Sequence, residues 1–179
     1  MPNTAKTLVL LAHPNLANSR VNAALADVAR QEEHVTVHDL YAAYPDFRID
    51  VAREQRLLLA HDAVTLQFPF QWYSTPSLLK LWLDEVLTYG WAFGEGGTAL
   101  HGKTLRFAIS TGHPAEAYGP DGINRFTMAE LLRPLEATAN LIGMTLAEPL
   151  ILQGNNPFNP LPDETLALHA KHYRQALAA

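Results

Sequence analysis

The chain has 179 residues, a formal net charge of -5 and no cysteine, with 13 lysines and arginines against 18 acidic residues. Its length suits one domain, residues 1–179, with a sizeable core, and its scattered basic residues exclude a nucleic-acid footprint or a polybasic membrane patch. The missing thiols exclude disulfides, thiolate catalysis and iron–sulfur ligation, while the lack of any apolar run near the ~20 residues of a spanning helix, or of a secretory core in residues 1–6, predicts a cytoplasmic protein.

Residues 7–12 form a continuous apolar run, as in a central parallel strand covered on both faces. A loop follows from His13, with Pro14 blocking continuation of the strand. Ser19 is placed to cap a helix whose apolar positions Val21, Ala24, Leu25, Val28 and Ala29 keep helical spacing. A loop ending at such a hydroxyl-bearing cap presents free N–H groups and a partial positive charge, to which Arg20 adds a full one. The combination makes a candidate anion site; the plainer reading is an ordinary capped helix.

Residues 35–40 alternate as a second strand, and a long connection through Pro45 leads to a short helix from about Val51, capped by Asp50. Residues 63–68 form the third strand, which runs into Phe70, Gln71, Trp72 and Tyr73 before Pro76 opens an amphipathic helix bearing Leu78, Leu79, Trp82, Leu83 and Val86. Open α/β sheets bind ligands at such carboxyl ends. Indole and phenol faces suit a flat heteroaromatic ring, and backbone groups suit its polar edge. The alternative is that both rings plug the top of the core.

Glycines crowd residues 94–102 without forming a dinucleotide fingerprint or a phosphate loop, so this stretch reads as a structured excursion. A fourth strand over 105–109 ends in Ser110, Thr111, Gly112 and His113, a second carboxyl-end loop with small residues. Loop follows through Tyr118 and a turn at 119–122. Thr127 and Glu130 fit a capping box, and Pro134 is expected to kink the helix they start. Residues 145–152 read as an edge strand because of Pro149, and a last helix carries Leu166, Ala170, Tyr173 and Leu177 on one face. Neither the His34/His38 pair nor the His169/His172 pair has the cysteines or close acids of a metal site, so no metal is expected and solvated imidazoles are. Ser110 lacks a nucleophile-elbow motif.

Five strands alternating with helices predict an α/β, doubly wound parallel sheet in the order 2-1-3-4-5, with helices on both faces. The loops at 13–22 and 70–73 then flank the switch point between strands 1 and 3. Phosphate at one and a planar ring at the other describe flavin mononucleotide (FMN).

The chain resembles the NAD(P)H:quinone oxidoreductase family of flavodoxin-like flavoproteins. Within it the resemblance is to the ancillary subunits of bacterial glutathione-gated potassium-efflux systems. It is carried by Ala12, His13 and Pro14 with Ser19 and Asn22; by Tyr44, Pro45, Asp46 and Phe47; by Gln71, Trp72, Tyr73, Ser74 and Pro76; and by the runs at 78–82, 90–92, 96–103 and 135–139. It implies that Ser19, Arg20, Val21 and Asn22 hold the flavin phosphate with His13, that Phe70, Gln71, Trp72 and Tyr73 border the ring, and that Ser110, Thr111, Gly112 and His113 line its polar edge. Tyr118 is the implied catalytic phenolic donor. The resemblance further implies FMN (or FAD) as cofactor, NAD(P)H as co-substrate, a quinone or similar electrophile as acceptor, and a homodimer with its site at the subunit interface. A membrane potassium-efflux transporter is an implied partner, holding the protein peripherally on the inner face of the membrane. The departure is at His113 and Pro114, where the family commonly has a second glycine.

Overall fold

The computed structural model describes residues 5–178; most of the stretch read for a secretory signal, residues 1–4, lies outside them. The sheet runs β2-β1-β3-β4-β5, and every pairing is parallel. Its strands are β1 (Thr7–Leu11), β2 (Val35–Asp39), β3 (Ala63–Pro69), β4 (Thr104–Ser110) and β5 (Thr145–Leu146). A further strand, β6 (Leu150–Leu152), pairs with β4 beyond β5. This is the flavodoxin-like order that the alternation of strands and helices predicts.

Side-chain alternation along β1 explains the two layers. Leu8 and Leu10 point to one face, into a core with Leu58, Leu66, Phe68, Leu79 and Trp82. Val9 points to the other, against Val21, Leu25, Tyr173 and Leu177. A strand buried on both sides needs such a two-sided apolar run. Helices α1 (Arg20–Arg30) and α7 (Asp163–Leu177) cover the second face, while α3 (Val51–Leu59), α4 (Ser77–Val86) and α6 (Arg133–Leu141) cover the first.

The structure departs from the sequence reading in five places. The connection after β2 holds a helix, α2 (Leu40–Ala43), because the Asp39 carboxylate accepts from the Tyr41 and Ala42 N–H groups and caps it. Pro76 sits one position earlier than expected, as the N-cap of α4. The capping box at Thr127 and Glu130 is present, but Pro134 ends the helix instead of bending it: α5 (Met128–Leu131) stops, and Pro134 lies in the first turn of α6, where its missing N–H costs nothing. The fifth strand divides into β5 and β6 around Pro149, which has no N–H to give to the ladder.

The fifth correction concerns the histidines. His38 is buried, and its Nε2 lies 2.9 Å from Glu54 Oε1. Glu54 is 0% exposed and also accepts from the Tyr44 hydroxyl and from Trp82 Nε1 at 2.8 Å. Burial raises the Glu54 pKa, but hydrogen bonds from His38, Tyr44 and Trp82 outweigh it and leave the carboxyl below its ordinary value. His34 Nε2 lies 3.0 Å from the Leu177 carbonyl.

Candidate flavin site

The loop after β1 builds the first wall. Its last turn, Leu16–Asn18, delivers Ser19 in extended conformation, and the Ser19 hydroxyl accepts from the Asn22 N–H at 3.1 Å. The N–H groups of Arg20 and Val21 then donate to no protein group among the described residues. They point out of a helix start, where anions bind. Val21 is fully buried, so its contribution to a ligand is through the main chain.

His13, at the start of the same loop, is a neutral donor. Its Nδ1 accepts from the Asn15 N–H at 3.1 Å, which leaves the ring proton on Nε2. Burial pulls its pKa below 6.5 against the opposing pull of Asp39, so the ring is largely uncharged at neutral pH. Arg20 is placed differently from the expectation. Its guanidinium is engaged by the Leu161 carbonyl and the Asp163 carboxylate, which ties the start of α1 to the start of α7.

Behind this wall lies a buried polar chain. Asn22 Nδ2 donates to the Ser110 hydroxyl at 2.9 Å, Gln67 Nε2 donates to the Asn22 carbonyl at 2.8 Å, and the Tyr173 hydroxyl donates to Gln67 Oε1 at 2.9 Å. Gln67 and Tyr173 escape a reading of the sequence by motif. The available signal is a glutamine at the carboxyl end of an otherwise apolar buried strand, a position that requires partners.

The second wall is the turn after β3. Gln71 and Ser74 exchange main-chain hydrogen bonds at 3.0 Å, with Trp72 at φ 46° and Tyr73 at φ 62° between them. Positive φ at both central positions defines a type I′ turn, which favours asparagine and glycine. Two large aromatic residues there carry a conformational cost of about 1–3 kcal/mol each. Trp72 is 92% exposed, so it plugs no core. The Phe70 N–H goes to the Ser110 carbonyl at 2.8 Å and the Gln71 N–H closes the turn. Of the four N–H groups at 70–73, those of Trp72 and Tyr73 have no partner among the described residues.

The third wall follows β4. Leu152 takes the Thr111 N–H at 3.0 Å, and the Thr111 hydroxyl donates to the His113 carbonyl at 2.7 Å. The N–H groups of Gly112 and His113 stay open among the described residues. Tyr118 is half-buried, and burial raises its pKa against a smaller opposing pull from the nearby Thr111 hydroxyl, so its phenol keeps its proton at neutral pH. Asn124, another residue without a sequence signature, is buried here. Its Oδ1 accepts from the Tyr73 hydroxyl at 3.0 Å and its Nδ2 lies 3.3 Å from His113 Nδ1.

All three walls meet at Ser110, whose hydroxyl takes Asn22 and whose carbonyl takes Phe70. Phe70, Trp72, Tyr73, Gly112, His113 and Tyr118 line one open cleft of about 200 Å³. Of the residues expected at the ring, only Gln71, Ser110 and Thr111 are not in its lining. The fit to FMN has a further mark. Asn22 Oδ1 is buried and accepts no hydrogen bond from any described residue, a state native proteins rarely leave uncompensated. A hydroxylated, phosphorylated chain running from the start of α1 toward the cleft offers the missing donor. Among the described residues no group of three or more metal-ligating side chains gathers.

A parallel sheet ordered β2-β1-β3-β4-β5, whose strand order reverses between β1 and β3, defines the doubly wound class of α/β proteins; the cleft itself lies between the loops that follow β3 and β4. The family model for the flavodoxin-like fold matches residues 5–177, and the chain belongs to that family. A glutathione-regulated potassium-efflux system ancillary protein of Enterobacter sp. (strain 638) is 47% identical over 179 residues, covering 100% of this chain and 96% of that one. Three solved structures are close. One, described as a thermophilic tryptophan halogenase from Streptomycin violaceusniger, has a TM-score of 0.91 at 46% identity and covers 96% of this chain and 98% of its own. General stress protein 14 of Treponema denticola, in complex with FMN, has a TM-score of 0.89 at 43% identity over 96% of this chain and 97% of its own. An NADPH-quinone reductase from P. pentosaceus has a TM-score of 0.86 at 35% identity over 97% and 98%.

Proposed function

We propose that this protein is an FMN-dependent NAD(P)H:quinone oxidoreductase, a single flavodoxin-like domain acting as a homodimer in the cytoplasm. The observation that carries the reading is the convergence of three loops on Ser110, which sets an anion-binding helix start and an aromatic cleft side by side. The FMN complex of a 43% identical neighbour supports the cofactor, in preference to FAD. The NADPH-quinone reductase neighbour supports the reaction. The relatives' differing names show that the fold leaves the acceptor open.

When bound, the flavin would supply a site that accepts a hydride from the nicotinamide and gives it to the acceptor. The chain's part is to hold and to orient. The Arg20 and Val21 N–H groups and the His13 Nε2–H would bind the phosphate. Asn22 Oδ1 would accept from the hydroxylated chain. The open N–H groups of Gly112 and His113 would face the ring's carbonyl edge as an oxyanion site does. Trp72 and Tyr73 would cover the ring, and the Tyr118 phenol, protonated at neutral pH, would donate to an acceptor oxygen.

The experiment is an absorption spectrum of purified protein with and without added FMN, followed by NAD(P)H oxidation with a small quinone. A bound flavin spectrum and quinone-dependent turnover are expected. A protein that takes up no FMN would refute the reading. A second reading, a regulatory subunit docked on a membrane potassium-efflux transporter, draws on the full-length match to the ancillary protein. Its support would be co-purification with a transporter and altered efflux.

A further inference from the structure

The segment between β4 and α5 inserts a carboxamide between a phenol and an imidazole. Asn124 is 8% exposed, and its position is fixed by the main chain: its N–H donates to the Ala117 carbonyl at 3.0 Å, and the Gly119 N–H closes the loop on the Phe126 carbonyl at 2.9 Å. A Cβ on Gly122 would come within 2.3 Å of that same Ala117 oxygen, so only glycine allows the chain to pass. Asn124 Oδ1 accepts from the Tyr73 hydroxyl at 3.0 Å, and Nδ2 faces His113 Nδ1 at 3.3 Å. A carboxamide has one accepting and one donating end. With the accepting end committed to the phenol, the donating end meets Nδ1, and an uncharged imidazole that receives a hydrogen bond at Nδ1 carries its proton on Nε2. The His113 ring lines the cleft, and its Nε2 has no protein partner among the described residues.

We propose that Asn124 is a positioning residue that fixes His113 as its Nε2–H tautomer, presenting an N–H donor in the cleft to a carbonyl oxygen of the ligand. The inference rests on the proposed function for the nature of that ligand only; the tautomer belongs to the protein alone. Reversing the amide would offer Oδ1 to His113 and place the proton on Nδ1, so the two arrangements have opposite spectroscopic signatures.

The test is long-range nitrogen–proton NMR of 15N-labelled protein as purified, at alkaline pH, with the His113 signals assigned by their loss in His113→Gln. Wild type is expected to show the Nε2–H pattern. Asn124→Asp keeps the shape and the acceptor for Tyr73 but offers no donor, and is expected to convert His113 to the Nδ1–H pattern. It is also expected to lower kcat for quinone reduction about tenfold, with the FMN dissociation constant changed less than about threefold. An Nδ1–H pattern in wild type, or an unchanged pattern in Asn124→Asp, overturns the proposal. If Asn124→Asp fails to fold, the wild-type spectrum decides alone. A protein with the Nε2–H pattern that takes up no FMN would sink the functional reading and leave this one standing.

Discussion

Trp72 carries two opposed demands. Its φ of 46° is costly for any side chain but glycine, while 92% exposure means it gains little from the protein in return. Trp72→Gly is therefore expected to raise thermal stability by about 1 kcal/mol, a Tm gain of a few degrees by calorimetry, and at the same time to weaken FMN retention. Trp72→Ala should weaken FMN binding about tenfold through lost ring contact. Arg20→Ala should change it less than about threefold, because the Arg20 guanidinium is already engaged by Asp163 and the Leu161 carbonyl. Fluorescence titration with FMN compares the two; equal retention in the Trp72→Ala protein would mean that the turn does not touch the ring. Ser19, the aromatic pair and the small-residue loop were legible because each stands beside a strand end or a helix cap. Asn124 and Gln67 were not, since each acts through partners 11 to 106 residues away that no local spacing encodes.

At the scale of elements, the sequence signals that worked were apolar runs and caps. β1, α1, α3 and the capping box at Thr127 all lie where side-chain chemistry and periodicity place them. Two departures have a common cause: the sequence predicts a kink at Pro134 and a single edge strand through Pro149, whereas both prolines divide their elements, and whether a proline bends an element or divides it depends on what packs on either side. The excursion at 88–103 is held by close main-chain approach. A Cβ on Gly97 would lie 2.1 Å from the Phe93 carbonyl oxygen, and Gly94 sits at φ 76° with a Cβ position 2.3 Å from the Tyr89 ring. Gly97→Ala is expected to cost about 1–3 kcal/mol, seen as a lower denaturation midpoint with an unchanged slope. A wild-type midpoint would show that the loop has slack.

For the molecule as a whole, the buried Glu54 cluster joins β2, the Tyr44 turn, α3 and α4 in one place. Because the folded pKa of Glu54 is lowered from 4.5, its contribution is present above that value and is lost as pH falls through the lower folded one. Tyr44 behaves oppositely. Burial and the Glu54 hydrogen bond push its pKa from 10.0 to about 12, so its contribution holds below 10 and disappears as pH rises through 12. Glu54→Gln, which turns an amide donor toward groups that themselves donate, should cost about 1–3 kcal/mol and flatten the acid limb of a stability-against-pH curve. A variant curve parallel to wild type would place the acid sensitivity elsewhere.

The hydrogen-bonded run from Tyr173 through Gln67 and Asn22 to Ser110 means that the last helix is part of the floor under the cleft. If FMN binds as proposed, affinity handles or fusion partners appended after residue 179 would pull on this run, and the absorption maximum of the bound flavin is expected to shift. Such a change in colour, with no residue near the cleft altered, would show the far end of the chain acting on its centre.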